Sequence, residues 1–257
     1  MTTWEDVRLE MADGIARITV TRAAKLNAMR DQTADELLAA LRAAEAGSAR
    51  AVLLTGEGRA FGAGYDLATL DPAAVPDLAR VLEVHFNPLV RAMRSSPLPI
   101  VAAVNGACAG ASVGLALAAD IVIAARSAFF YEPFVGIALV PDAGNTLFLP
   151  RIAGRIRASA AMLLGDRITA DQAERWGLVW KVVEPEELLS EAGAICARLA
   201  ERAPSALSMT KRLIAQASDP DLDPMLDLER DLQGEAGRSP AMRAAVDAFF
   251  AARGGKG

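Results

Sequence analysis

Three settings in this 257-residue chain place reactive residue types where they could do chemistry. The first is Asp142, inside IALVPDAGNTLFLPRIAG at 137–154. It follows a strand-like run and a proline, and precedes Gly144 and a helix expected near Asn145. A carboxylate at a strand end can act as a general base. A carboxylate just ahead of a helix can equally cap it, and spacing alone leaves both roles open. The second setting is a pair of Gly/Ala-rich turns, AFGAGYDL at 60–67 and NGACAGASVGLALAADIVIAA at 105–125. Small residues let a ligand approach the main chain, and a helix N-terminus offers free N–H groups at the positive end of its dipole. Brought together, two such turns make a two-donor hole for an oxyanion. Each turn alone is also what a tight bend requires. The third setting, Gly110-Ala-Ser112-Val-Gly114, fits the G-x-S-x-G nucleophile elbow. That elbow needs an acid and a histidine later in the chain. The one histidine, His85, comes earlier. Ser112 is therefore read as a small residue at a closely packed helix start.

The composition narrows the chemistry further. One histidine excludes a multi-histidine zinc site, and Cys108 and Cys196 are too far apart for a metal-binding pair or a disulfide framework. Buried thiols in a reducing cytoplasm are the simplest reading. A net charge of −5 argues against nucleic-acid binding, which needs a basic surface. The N-terminal MTTWEDVRLE carries acids and no apolar run, so no secretory signal is expected. The most apolar stretch, 100–125, is interrupted by Asn105, Ser112, Asp120 and glycines, and is read as strand, turn, helix and strand rather than a membrane span.

The elements that must hold these residues follow from periodicity. Val7–Met11 and Ile15–Thr21 flank Ala-Asp-Gly, a hairpin signal. Thr33-x-x-Glu36 matches a capping box, followed by Leu37, Leu38 and Leu41 on one helical face and Gly47 as the stop. Ala51–Thr55, Ile100–Val104 and Ile121–Ala124 read as short buried strands. A helix is expected over 76–95, kinked or bounded by Pro88. From about 155 onward the pattern is helical: 155–164, 169–176 with a Thr169-x-x-Gln172 cap, 184–202, 204–217, 221–235 and 240–253. The chain thus reads as α/β, with strands and helices alternating first and helices last.

KLNAM at 25–29, AFGAGYDL, NGACAGASVG, VPDAGNT and ADQAERWGLVWKVV at 170–183 occur in one order over nearly the whole chain. In this order and spacing they resemble the crotonase (enoyl-CoA hydratase/isomerase) superfamily. The resemblance implies a spiral of ββα repeats over 1–200 and a C-terminal helical trimerisation region over 201–257. It implies a homotrimer or hexamer that takes coenzyme A thioesters as substrate, with no tightly bound cofactor, no metal and no membrane or nucleic-acid partner. It places the thioester oxygen between the main-chain N–H groups of Tyr65 and Ala111, with Gly110 opening the second turn. Tyr65 departs from the small residue common there, and its ring is expected to narrow the pocket.

The family's hydratases use two glutamates. Their positions here hold Gly114 and Phe134. Asp142 instead matches the catalytic aspartate of an isomerase branch that includes enoyl-CoA isomerases and the ring-1,2-epoxyphenylacetyl-CoA isomerase. The implied reaction is proton relocation beside the thioester, with one carboxylate removing and returning the proton. In an apolar pocket its pKa should rise. A hydratase using Asp142 or Glu132 is the alternative, and a catalytically weak acyl-CoA-binding subunit is a third. Glu132 is a reserve acid, read chiefly as a surface or ion-pairing residue. For coenzyme A the resemblance points to Lys25, to the 60–66 backbone with Ala63 and Asp66, to Lys211 as a phosphate contact, and to Phe249 and Arg253 in the C-terminal helix as residues that reach a neighbouring subunit's ligand. Asp66 and Asp120 are also expected to bond turns or helix ends, and His85 to supply polarity near the pocket entrance.

Overall fold

A computed structural model describes residues 1–69, 77–217 and 221–254. Its first compact unit, Met1–Ala200, holds two sheets. The strands are β1 (Thr2–Thr3), β2 (Val7–Ala12), β3 (Ile15–Val20), β4 (Ala51–Gly56), β5 (Ala60–Gly62), β6 (Ile100–Val104), β7 (Ala107–Ala109), β8 (Ile121–Ala125), β9 (Phe129–Tyr131), β10 (Ile168–Thr169) and β11 (Lys181–Val183). The larger sheet runs β1-β2-β3-β4-β6-β8-β11 and the smaller β10-β9-β7-β5. β2 and β3 form the expected antiparallel hairpin, turned at Asp13 and Gly14, both with positive φ. From β3 onward the larger sheet is parallel. AVLLTG and IVAAV are buried at every position, as parallel strands covered on both faces are.

Each turn of the chain adds one strand to each sheet. β4, β6 and β8 pair in parallel in the larger sheet, and β5, β7 and β9 do the same in the smaller. Helices close the turns, so the fold is the spiral of ββα repeats. The segments that leave β5, β7 and β9 therefore lie side by side. They hold residues 63–66, 110–112 and 132–142.

The helices of this unit are α1 (Asp31–Ala46), α2 (Leu78–Val81), α3 (Asn87–Ser95), α4 (Ala111–Ala118), α5 (Asn145–Ala153), α6 (Arg155–Leu164), α7 (Ala170–Trp176) and α8 (Leu188–Ala200). The Thr169/Gln172 capping box opens α7 as the sequence implies. Two expectations need correction. α1 begins at Asp31, so Thr33 is not its cap. Thr33 Oγ1 accepts from the Arg30 N–H and donates to the buried Asp6 carboxylate, 2.5 Å away. Glu36 accepts from the Asp6 N–H at 2.8 Å. Thr33 is thus the third residue of the helix, bonded back to the N-cap Arg30, and both it and Glu36 also bond to Asp6. The helix expected over 76–95 comes as α2, a π-helical turn at Leu82–Phe86, and α3. Asp77 caps α2 and Pro88 sits in the first turn of α3, while residue 76 lies outside the described residues.

The second unit, from Glu201 onward, contains α9 (Pro204–Gln216), α10 (Leu222–Gly237) and α11 (Pro240–Gly254), with α10 packed on both others. Among the described residues, no helix is long and apolar enough to cross a membrane.

Candidate active site

A cavity of about 300 Å³ lies where β5, β7 and β9 end. Its wall takes Ala63–Tyr65 from the first turn, Ala109–Ala111 from the second, and Tyr131, Phe134 and Asp142 from the third. Leu78, Val81, Leu82 and Phe86 add an apolar side. Among the described lining residues Asp142 is the carboxylate.

The two Gly-rich turns meet at their glycines. Gly64 (φ +87°) and Gly110 (φ +56°) are both in the region that favours glycine. A methyl carbon built on Gly110 would stand 3.6 Å from the Gly64 Cα. This close approach sets the next residues, Tyr65 and Ala111, at the same wall. Ala111 opens α4, where N–H groups have no partner within the helix. Tyr65 forms an isolated bridge with Met29 through Met29 N–H to Gly64 O and Asp66 N–H to Met29 O, both 2.7 Å. That pairing does not use the Tyr65 N–H.

Ser112 serves this geometry rather than nucleophilic chemistry. Its hydroxyl is buried and accepts from the Gly64 N–H at 3.3 Å. Asn145, fully buried, donates from Nδ2 to Gly110 O at 3.1 Å and so ties the start of α5 to the second turn. Asn27 donates to Glu57 O (2.9 Å) and Ala60 O (2.6 Å), fastening the 25–29 segment to β5. Spacing alone marks neither asparagine. The available signal was Asn27 itself, since asparagine tolerates the left-handed φ of 55° that the chain adopts there.

Asp142 does not cap α5. The helix N-cap is Gly144, and Asp142 contributes only its main-chain oxygen, accepting from Asn145 N–H at 2.9 Å. Its Oδ1 is buried without a hydrogen-bond partner. Burial pushes the carboxyl up to about 6, against its own main-chain N–H, which pulls it down. Glu132 corrects the sequence reading. β9 stops at Tyr131 and Phe134–Ile137 is a 3-10 turn, so Glu132 lies in the short segment between them. Glu132 is 1% exposed, and both carboxyl oxygens lack partners. Burial first, then the Asp142 charge, push it up to about 8.

By the resemblance, Gly114 and Phe134 stand at the two positions where the family's hydratases carry glutamates. A methyl carbon on Gly114 would meet the Ala143 carbonyl oxygen at 2.3 Å. Main chain fills the space an acid would need. Phe134 is buried in the wall beside Gly110.

Tyr65 points its hydroxyl at Asp31, donating at 2.9 Å, and its ring meets Phe86 edge-on at 5.9 Å. His85, from the π-helical turn, lies 2.8 Å from Asp35 and 3.5 Å from Asp31. Asp66 accepts from Arg22 at 2.9 Å and Asp120 accepts from the Ile100 N–H at 2.8 Å, so both carboxylates bind structure. Lys25 is exposed on a 3-10 turn at Ala23–Lys25. Lys211 and Phe249 belong to the second unit, on α9 and α11. Arg253 also falls in α11, and its side chain lies outside the described residues. Cys108 and Cys196 are buried thiols.

Comparison with known proteins shows the family. A family model described as enoyl-CoA hydratase/isomerase matches residues 10–254. The chain is 44% identical over 244 residues to a 1,2-epoxyphenylacetyl-CoA isomerase of Escherichia coli K12, covering 93% of each chain. It is 43% identical to a probable enoyl-CoA hydratase of Rhodobacter capsulatus, covering 97% of this chain and 96% of that one. The crystal structure of an enoyl-CoA hydratase/isomerase from Cupriavidus metallidurans CH34 superposes with a TM-score of 0.91 at 30% identity, covering 98% and 95%.

Proposed function

This chain belongs to the enoyl-CoA hydratase/isomerase family, and from that premise we propose that it is an acyl-CoA isomerase whose proton-transfer group is Asp142. The observation that carries the reading is the unpartnered, buried Asp142 oxygen in an otherwise apolar wall. In the proposed step Asp142 takes a proton from a carbon beside the thioester. The C–H electron pair moves into a dienolate, and the negative charge reaches the thioester oxygen. The N–H groups of Tyr65 and Ala111 donate to that oxygen, and each such donor contributes about 2.7–4 kcal/mol to the transition state. Protonated Asp142 then returns the same proton at a second carbon, and the C=O is restored. One carboxylate suffices for this shuttle. Water addition needs both an activated water and a proton donor, and Gly114 and Phe134 supply neither.

Binding follows the same reading. The 60–66 main chain, including Ala63 and Asp66, runs along the nucleotide end, with Lys25 beside it. Gly110 and Phe134 shape the acyl end, and in the assembled protein Phe249 and Arg253 serve a neighbouring subunit's ligand. Assembly as a homotrimer or hexamer is supported by exposed Ile156, Leu163 and Leu164 on α6. The second reading, hydration of 2-enoyl-CoA, is favoured by the Rhodobacter capsulatus relative. Parallel assays with 3-enoyl-CoA and 2-enoyl-CoA separate the two. Isomerisation that depends on Asp142 supports the proposal, whereas fast hydration undiminished in Asp142→Asn overturns it.

A further inference from the structure

Glu132 is a buried acid that the proton shuttle leaves unused. It follows β9 directly, at the end of the strand that brings Tyr131 to the cavity wall. Unlike Tyr131, Pro133 and Phe134 it is not a lining residue. Both its oxygens are enclosed and neither has a hydrogen-bond partner. The titratable groups that share its surroundings are Asp142, from the segment before α5, and Cys108, from β7. The Cys108 thiol is fully buried, and burial pushes it well up, so it stays neutral. Glu132 and Asp142 are thus two unpartnered acids at one cavity wall: Asp142 lines it, Glu132 sits between the lining residues Tyr131 and Pro133, and the Asp142 charge acts on Glu132.

Two carboxylates enclosed together cannot both ionise easily, because burial disfavours each charge and the first charge disfavours the second. The member with more access to the cavity gives up its proton first. Asp142 opens on the cavity and Glu132 does not. We propose that Glu132 is a positioning residue for Asp142: the pair holds one proton and one negative charge, Glu132 keeps the proton, and the charge is confined to the carboxyl that faces the acyl chain. The ordering of the two acids, about 8 for Glu132 and about 6 for Asp142, agrees with this division. The pair titrates as a unit. When Asp142 accepts the substrate's proton, the field that holds the Glu132 proton relaxes. When Glu132 ionises at high pH, a second charge arises beside Asp142 and changes its basicity.

This inference rests on Asp142 being the proton-transfer group, and its test is arranged to keep the two apart. Infrared difference spectroscopy on the full chain reads the carbonyl stretch of a protonated carboxyl, assigned to Glu132 by its loss in Glu132→Gln. At pH 7 the band should be present, and it should vanish as pH rises through about 8. In Asp142→Asn the like charge is gone, and the midpoint should fall by about one pH unit. The kcat/KM profile for isomerisation should show an inflection near the same pH in the wild type and none in Glu132→Gln. An absent band at pH 7, or a midpoint unmoved in Asp142→Asn, overturns the shared charge. A band that titrates without any matching kinetic inflection overturns the positioning role. The spectroscopic results stand whether or not Asp142→Asn retains turnover, so failure of the Asp142 reading alone shows as an active Asp142→Asn.

Discussion

Replacing Asp142 by asparagine keeps the side chain's shape and removes its ability to accept a proton. A positioned general base contributes roughly 10²–10⁴-fold to a proton transfer, so isomerase kcat should fall by about that factor. KM should move little, because the proposed thioester contacts are main chain from Tyr65 and Ala111. The wild-type profile follows from the burial that pushes Asp142 up to about 6. The base must be ionised, so kcat/KM should rise through pH 6, level off by pH 7, and drop about tenfold per unit below pH 5. The same shift has a stability signature. A carboxyl that binds its proton more tightly when folded makes the fold lose stability as pH rises from about 4 to about 6. Two units correspond to about 3 kcal/mol, and water reaching the cavity reduces this to about 1–2 kcal/mol. Asp142→Asn lacks that loss. Its stability relative to wild type should therefore improve between pH 4 and pH 8, while turnover is nearly abolished. The assay follows absorbance of the conjugated thioester formed from 3-enoyl-CoA, with Tm at both pH values. A kcat within threefold of wild type, or a relative stability that fails to improve with pH, refutes the reasoning.

Gly114→Ala should cost about 1–3 kcal/mol by overpacking against the Ala143 carbonyl, read from urea unfolding. Gly114→Glu should destabilise further and gain no hydratase activity with 2-enoyl-CoA. Asn145→Ala removes the brace to Gly110 O and leaves that carbonyl buried. Stability should fall by about 1–3 kcal/mol, and kcat should fall with it as the second turn loses its placement. Ser112→Ala should cost about 1 kcal/mol, the lost bond to Gly64 N–H. Wild-type Ser112 should resist a fluorophosphonate that labels activated serines, and labelling would restore the nucleophile reading.

Local signals carried much of the fold. The β2–β3 hairpin, the buried runs of β4, β6 and β8, and the Thr169 cap each depend on neighbours within a few residues. Thr33 and Glu36 mislead because the helix N-cap is Arg30, which makes Thr33 the third residue of the helix, and because Asp6, about 30 positions away, bonds to both. The π-helical turn at Leu82–Phe86 leaves no mark in apolar spacing. The site divides similarly. Asp142 and the two Gly-rich turns stand out by residue type, and the raised Asp142 pKa follows from an apolar pocket. The burial of Glu132 is not legible locally, because it depends on parallel pairing of β7 with β9. The reason for Gly114, a carbonyl from residue 143, is likewise visible only after the chain has folded back.

The stacking of β5, β7 and β9 has a consequence for how this site can change over generations. Tyr65, Ala111 and Asp142 each follow the same rung of the spiral, read on three successive turns. Under the proposed mechanism the first two rungs contribute only peptide groups, which tolerate many side chains. The third contributes an acid, and is where chemistry is chosen. A length change after β9 would move the acid and leave the oxyanion donors in register. New reactions on this scaffold should therefore arise by editing one rung at a time, with thioester activation inherited intact.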